Sequence, residues 1–185
     1  MGLLEGKHVN LRVMEREDVD FLVECFNDVN FRGEYTPIEE QISKSAEMKQ
    51  FDNPSNWVIL IERKTFIIQK KDGTRIGIIY HLTNQPIGMM EIAYFFVPNE
   101  RKKGYGTETV LLMVDYLFLS QNIVRIGAIT NVGNKASQRV LEKAGFRIEG
   151  TIRKLYFVKG VWTDCYLYSI LREEWKVPKI LTKTT

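Results

Sequence analysis

The chain has 185 residues, 44% hydrophobic and 26% charged, with a formal net charge of +3, the balance of a globular domain rather than a disordered chain. That length suits one domain able to bury roughly 70% of the surface its unfolded form exposes. The longest apolar run, Val110 to Leu119, is broken by Asp115, and Met1 to Lys7 lacks the pattern of a secretory signal, so a cytoplasmic protein without a membrane partner is expected.

His8 to Met14 alternates as a strand, with Val9, Leu11 and Val13 on one face. Glu15 to Asn27 reads as a helix, with Val19, Leu22, Val23 and Phe26 at helical spacing. Asp28 to Pro37 is irregular, and Ile38 to Phe51 predicts a second helix. Trp57 to Ile68 and Arg75 to Leu82 are strands of a hairpin turning at Asp72-Gly73. Glu91 to Val97 is a further strand, ended by Pro98. From Thr107 to Ser120 the apolar positions Val110, Met113, Val114, Leu117 and Phe118 make one helical stripe. Val124 to Thr130 is a β-branched strand, and Asn134 to Ala144 a short helix stopped by Gly145. Arg147 to Val158 and Thr163 to Leu171 close the domain as a hairpin around Lys159-Gly160. Lys176 to Thr185 reads as a short basic tail in solvent, leaving 1 to 175 as the domain. The order predicts an α+β fold, a mixed sheet flanked by helices.

Charge is unevenly spread. Arg101 to Lys159 carries eleven Lys and Arg against four acids, whereas the remainder is net acidic. A basic half suits an anionic partner, either nucleic acid or a small polyphosphate. No helix-turn-helix spacing, zinc-finger ligand set or aromatic RNA-binding signature lies in that half, so no nucleic acid is expected. Two histidines and no Cys-x-x-Cys give no plausible metal site. Cys25 and Cys165 read as small buried thiols.

The segment with the clearest chemistry is Val97-Pro98-Asn99-Glu100-Arg101-Lys102-Lys103-Gly104-Tyr105-Gly106-Thr107. A strand ends, a loop carries two glycines, and an amphipathic helix begins. Backbone N–H groups at such a turn, the helix N-terminus and the three cations together suit a pyrophosphate. Thr107-Glu108 after Gly106 excludes a Walker loop, and Thr109 stands where a dinucleotide fingerprint needs its third glycine.

Arg-x-x-Gly-x-Gly at Arg101, Gly104 and Gly106 instead resembles the acetyl-CoA loop of the GNAT acetyltransferase superfamily. Downstream, Asn131-x-x-Asn134-x-x-Ser137, Val140-Leu141-Glu142-Lys143-Ala144-Gly145-Phe146, Glu149-Gly150 and Gly160-x-Trp162-x-Asp164-x-x-x-Tyr168 resemble its RimJ/RimL-type branch. The resemblance implies a single-domain GNAT fold. Its twisted, mostly antiparallel sheet of six or seven strands would be flanked by about four helices and splayed open between Glu91–Val97 and Val124–Thr130. It implies acetyl-CoA as acyl donor, no metal, and a primary amine as acceptor, either a small molecule or a protein N-terminus. A homodimer is compatible with it, and so is a non-catalytic acyl-CoA-binding module of the same fold.

By position, the resemblance assigns the backbone of Phe95, Phe96 and Val97 to the pantetheine arm and to the oxyanion. Arg101, Lys102, Lys103, Gly104, Tyr105, Gly106 and Thr107 would hold the pyrophosphate, and Asn131 and Asn134 the pantetheine region. Many members place a proton-donating tyrosine where this chain has Leu141; in the RimL type a serine serves, here Ser137. That type's glutamate falls on Tyr156, so the expected base is Glu91, with Tyr156 and water as alternatives. The acceptor would meet Arg32, Glu34, Tyr35, Tyr156 and Trp162, with Phe31 and Asp164 nearby.

Overall fold

Alternating strands of this chain present apolar side chains to both faces of the sheet, and the fold covers each face with helices. In the computed structural model, which describes residues 3–37, 41–52, 63–84 and 88–181, the strands are β1 (Leu3–Glu5), β2 (Val9–Val13), β3 (Arg63–Lys70), β4 (Arg75–Asn84), β5 (Met89–Phe96), β6 (Arg125–Asn131), β7 (Arg147–Val158) and β8 (Val161–Leu171). They form one sheet in the order β1-β2-β3-β4-β5-β6-β8-β7. Every neighbouring pair is antiparallel except β5 and β6. The helices are α1 (Val19–Asn27), α2 (Lys44–Asp52), α3 (Tyr105–Ser120) and α4 (Lys135–Lys143). Among the described residues the sheet thus has eight strands rather than six or seven, because β1 is only three residues long and shows no alternation to read.

The period of two divides the core. Phe66, Ile68, Ile79, Met90, Ile92 and Ile126 face α3 and α4, meeting Val110, Met113, Val114, Leu117 and Leu141 in the larger cluster. Ile67 and Ile78 face the opposite way and pack on Phe21, Leu22 and Cys25 of α1 and on Phe31. Each such side chain contributes about 1.5–3 kcal/mol on burial. Val13 shares the register of Val9 and Leu11 but stands 54% exposed at the strand end. Both cysteines are free and buried. Burial pushes the Cys25 thiol up to about 12 and that of Cys165 to about 11.

Two departures from expectation bear on the packing, at α2 and at the C-terminal segment; of the expected strand Trp57 to Ile68, residues 57–62 lie outside the described residues. The second helix begins at Lys44, because Ser43 Oγ accepts the Ala46 N–H at 3.2 Å as its cap; Ile38 to Glu40 of the expected span lie outside the described residues. Polar pairs tie α2 to its surroundings, Arg16 with Asp52 and the side-chain amide of Asn27 with the backbone of Ile42. Of the expected solvated tail, Lys179 to Leu181 instead pack back on α3; residues 182–185 lie outside the described residues. Asp115, fully buried, accepts hydrogen bonds from Trp175 Nε1 at 2.7 Å and from the backbone N–H groups of Lys179, Ile180 and Leu181. The acid that interrupts the apolar run is the latch for the C-terminal segment.

Candidate active site

β5 and β6 pair only through Met89↔Arg125, Met90↔Ile126 and Glu91↔Gly127, and then diverge. β5 meanwhile stays paired with β4 along its length. One edge of β5 beyond Glu91 is thus left open, forming a fork in the sheet with Glu91 on its last closed rung. The N–H of Val97 donates to Ile76 O at 2.9 Å. The alternation of an antiparallel ladder then turns the backbone of Phe95 and Val97 toward β4 and that of Ile92, Tyr94 and Phe96 toward the fork. Of the stretch expected to pair with a pantetheine arm, only Phe96 faces the gap, and Tyr94 is the residue that the sequence reading missed.

The loop into α3 lies at the mouth of this fork. Lys102 has φ +60° and Gly104, the N-cap, φ +88°, and no side chain caps the helix. The first-turn N–H groups of α3 are therefore left to an external acceptor, reinforced by the helix dipole. The two glycines act differently. Gly104 supplies a left-handed conformation, whereas a Cβ at Gly106 would meet Val140 Cγ2 at 3.1 Å, so its role is to let α3 pack on α4. Tyr105 packs its ring on the larger core, and Thr107 is half-buried beside it in the first turn.

The three loop cations differ as well. Arg101 is not mobile charge. Its Nε donates to Phe96 O at 3.0 Å, and its Nη2 to Asn30 O and Phe31 O at 2.7 and 2.6 Å. It joins the end of β5 to the Asp28–Pro37 loop, and burial lowers its pKa. Lys103 pairs with Glu100 at 3.0 Å. Lys102 is exposed.

On the far wall, β6 ends at Asn131 and α4 starts after Asn134. Asn131 is buried and spent on the turn, accepting the Gly133 N–H at 2.8 Å and donating to Thr163 Oγ1 at 2.8 Å. Asn134 Oδ1 accepts the Ser137 N–H at 3.1 Å as the α4 cap. Ser137 Oγ lies 2.9 Å from the hydroxyl of Tyr94, a bond that crosses the fork from α4 to β5. Leu141 is buried in the core.

The opposite face of the fork carries the acceptor candidates. Glu91 shares its parity with Ala93 and Phe95 and is half-buried. Tyr156 enters from β7 beside an irregularity in its pairing with β8. Its hydroxyl is pushed up to about 12, first by burial and then by the charges of Cys165, Glu91 and Tyr80, with Arg32 opposing. Arg32 stacks over Phe26 and Phe95 at 4.6 and 5.4 Å. The fold thus gathers Arg32, Glu91 and Tyr156, together with Tyr80, which the sequence reading overlooked. Tyr35 bridges instead to the far wall, where a Cβ on Gly133 would come within 2.9 Å of its ring. Glu34 is exposed and raises the Tyr35 pKa. Trp162 is 58% exposed at the hairpin tip against Phe157, and Asp164 holds the Lys154 N–H at 2.9 Å. Both of these contacts lie within the β7–β8 hairpin.

Comparison with known proteins agrees with this geometry. The chain is 30% identical over 177 residues to the uncharacterized N-acetyltransferase p20 of Bacillus licheniformis, covering 95% of this chain and 99% of that one. It resembles the structure of a GNAT-family acetyltransferase from Bacillus anthracis, at 25% identity and a TM-score of 0.75 over 93% of this chain and 99% of that one. It also shares the fold of the Vibrio cholerae spermidine N-acetyltransferase, solved with CoA and spermine, at 22% identity and a TM-score of 0.78 over 90% and 97% of the two chains. The family model described as an acetyltransferase (GNAT) domain matches residues 8–147. That match runs from the start of β2 to the start of β7 and takes in both walls of the fork: the chain belongs to the GNAT acetyltransferase family.

Proposed function

We propose that this protein transfers an acetyl group from acetyl-CoA directly to a primary amine. The observation that carries the reading is the uncapped, glycine-led start of α3 at the mouth of the β5/β6 fork. A helix start with unsatisfied N–H groups fits a pyrophosphate, and the open edge of β5 fits an extended amide-bearing arm. Acetyl-CoA supplies the activated thioester. Lys102 and the N–H groups of Tyr105 to Thr107 hold the anionic end, while Tyr94 offers backbone groups and Phe96 its N–H along the gap, the Phe96 carbonyl being held by Arg101.

Glu91, at the vertex, takes a proton from the incoming ammonium group. Tyr156 stays protonated at neutral pH, given its raised pKa, and so donates a hydrogen bond rather than acting as base. Cys165 is a thiol at neutral pH for the same reason, which favours direct transfer over an acyl-cysteine. The acceptor reading includes small amines, in line with the substrate named for the Vibrio cholerae protein, and protein N-termini.

The test is thiol release from acetyl-CoA across spermidine, amino sugars and peptides of varied first residue. Release with one class and a loss of about tenfold or more in Glu91→Gln at neutral pH support the proposal. Acetyl-CoA binding without release from any amine would replace it with a binding-only role.

A further inference from the structure

We propose that Tyr94 is a positioning residue that aims the hydroxyl of Ser137 at the departing CoA sulfur. The inference rests on the acetyl-CoA reading above and adds a residue that neither the motif nor the comparisons supply. Tyr94 shares the parity of Met90 and Ile92, so its ring packs on the α3/α4 side of the sheet. Its hydroxyl reaches across the fork to Ser137 Oγ at 2.9 Å and to Ser137 O at 3.4 Å. The Ser137 backbone is fixed independently, its N–H held by Asn134 Oδ1. A tyrosine hydroxyl thus stands at the fork, delivered from β5 rather than from α4, where Leu141 is buried in the core.

Serine hydroxyls on helices ordinarily turn back to their own backbone. Here Ser137 Oγ meets the Tyr94 hydroxyl. In the arrangement proposed, Tyr94 donates into the nearer Ser137 Oγ rather than into Ser137 O, which leaves the serine hydrogen to point into the gap. Burial pushes the Tyr94 hydroxyl up to about 12, opposed by its bond to Ser137, so it remains a donor throughout the neutral range. In the transfer step the amine lone pair forms the N–C bond, the C–S bond breaks, and its electron pair passes to sulfur. The amine's proton leaves to Glu91 or water. Ser137 donates a hydrogen bond to the sulfur and keeps its proton, and the thiolate takes a proton from water on release. The pair therefore acts by stabilising a thiolate.

That role is readable without any acceptor. CoA itself is the probe: its thiolate absorbs in the ultraviolet, and its titration bound to the protein is compared with free CoA. The wild type should lower the bound thiol pKa by about one unit. Ser137→Ala should return it toward the free value, Tyr94→Phe should undo a large part of the shift, and the double variant should match Ser137→Ala alone. Ser137→Thr should restore the shift. Melting curves establish that each variant folds. Superimposable titrations of wild type, Tyr94→Phe and Ser137→Ala, with CoA bound in all three, would overturn the proposal while leaving the acetyl-CoA reading standing. Failure of the folded wild type to bind CoA would instead overturn that reading, and this one with it.

Discussion

Replacing Arg101 by alanine separates two roles that its sequence position confounds. As a loop cation three residues before Gly104 it reads as a phosphate ligand, yet its guanidinium is spent on the carbonyl oxygens of Phe96, Asn30 and Phe31. At about 1 kcal/mol net for each of the two bonds to the loop, at Asn30 O and Phe31 O, their loss should free the Asp28–Tyr35 loop by about 2 kcal/mol, or roughly thirtyfold in local opening. The assay is amide hydrogen exchange of that loop, run beside a calorimetric titration of acetyl-CoA. Exchange of Asn30 to Gly33 should accelerate by roughly thirtyfold, while acetyl-CoA affinity changes by less than about threefold. Arg101→Lys should be intermediate, because an ammonium cannot reproduce the planar fork. Unchanged loop exchange with a tenfold or greater loss of acetyl-CoA affinity would refute the reasoning and restore Arg101 as a phosphate ligand.

Asp115→Ala leaves Trp175 Nε1 and the N–H groups of Lys179, Ile180 and Leu181 without their acceptor; a loss of about 3 kcal/mol and about 10 °C in melting temperature is expected, together with protease sensitivity after Trp175. A melting point within about 2 °C of wild type would contradict the latch. Buried Asp18 has its pKa held below the usual carboxylate range. Burial works to raise it, and the bonds from Arg12, Glu15 N–H and Arg75 outweigh that effect. Its stabilisation is present above the unfolded-state pKa and is lost as pH falls through the folded one. Wild type should therefore lose stability more steeply than Asp18→Asn on acidification below about pH 4, measured by denaturant titration at several pH values. Parallel slopes would contradict the assignment.

What the sequence disclosed follows the range of its signals. Alternation in β4, the β-branched run of β6 and the apolar stripe of α3 are local, and each element was legible to within a few residues at its ends. The fork was not legible from periodicity, because it depends on where a parallel pairing stops; only the family resemblance pointed to it. Arg101 was read as a phosphate ligand because a cation beside loop glycines usually meets an anion, and its carbonyl partners at Asn30 and Phe31 lie some 70 positions away. Asp115 looked like an interruption for the same reason, its donors being about 60 positions downstream. Tyr94 could have been found: its parity on β5, shared with Ile92 and opposite to Glu91, assigns it to the α4 side. Ser43, a serine three residues before Ala46, was a readable cap that would have moved the start of α2.

The most direct test of the account is amide exchange of the wild-type protein with and without saturating acetyl-CoA, resolved by residue. If acetyl-CoA lies in the fork with its anionic end on α3, protection should appear at Lys102 to Thr107 and at Tyr94 and Phe96, with Phe95 and Val97, already paired with β4, changing little. Protection confined to other surfaces, or none despite saturation, would contradict the placement on which the proposed chemistry depends.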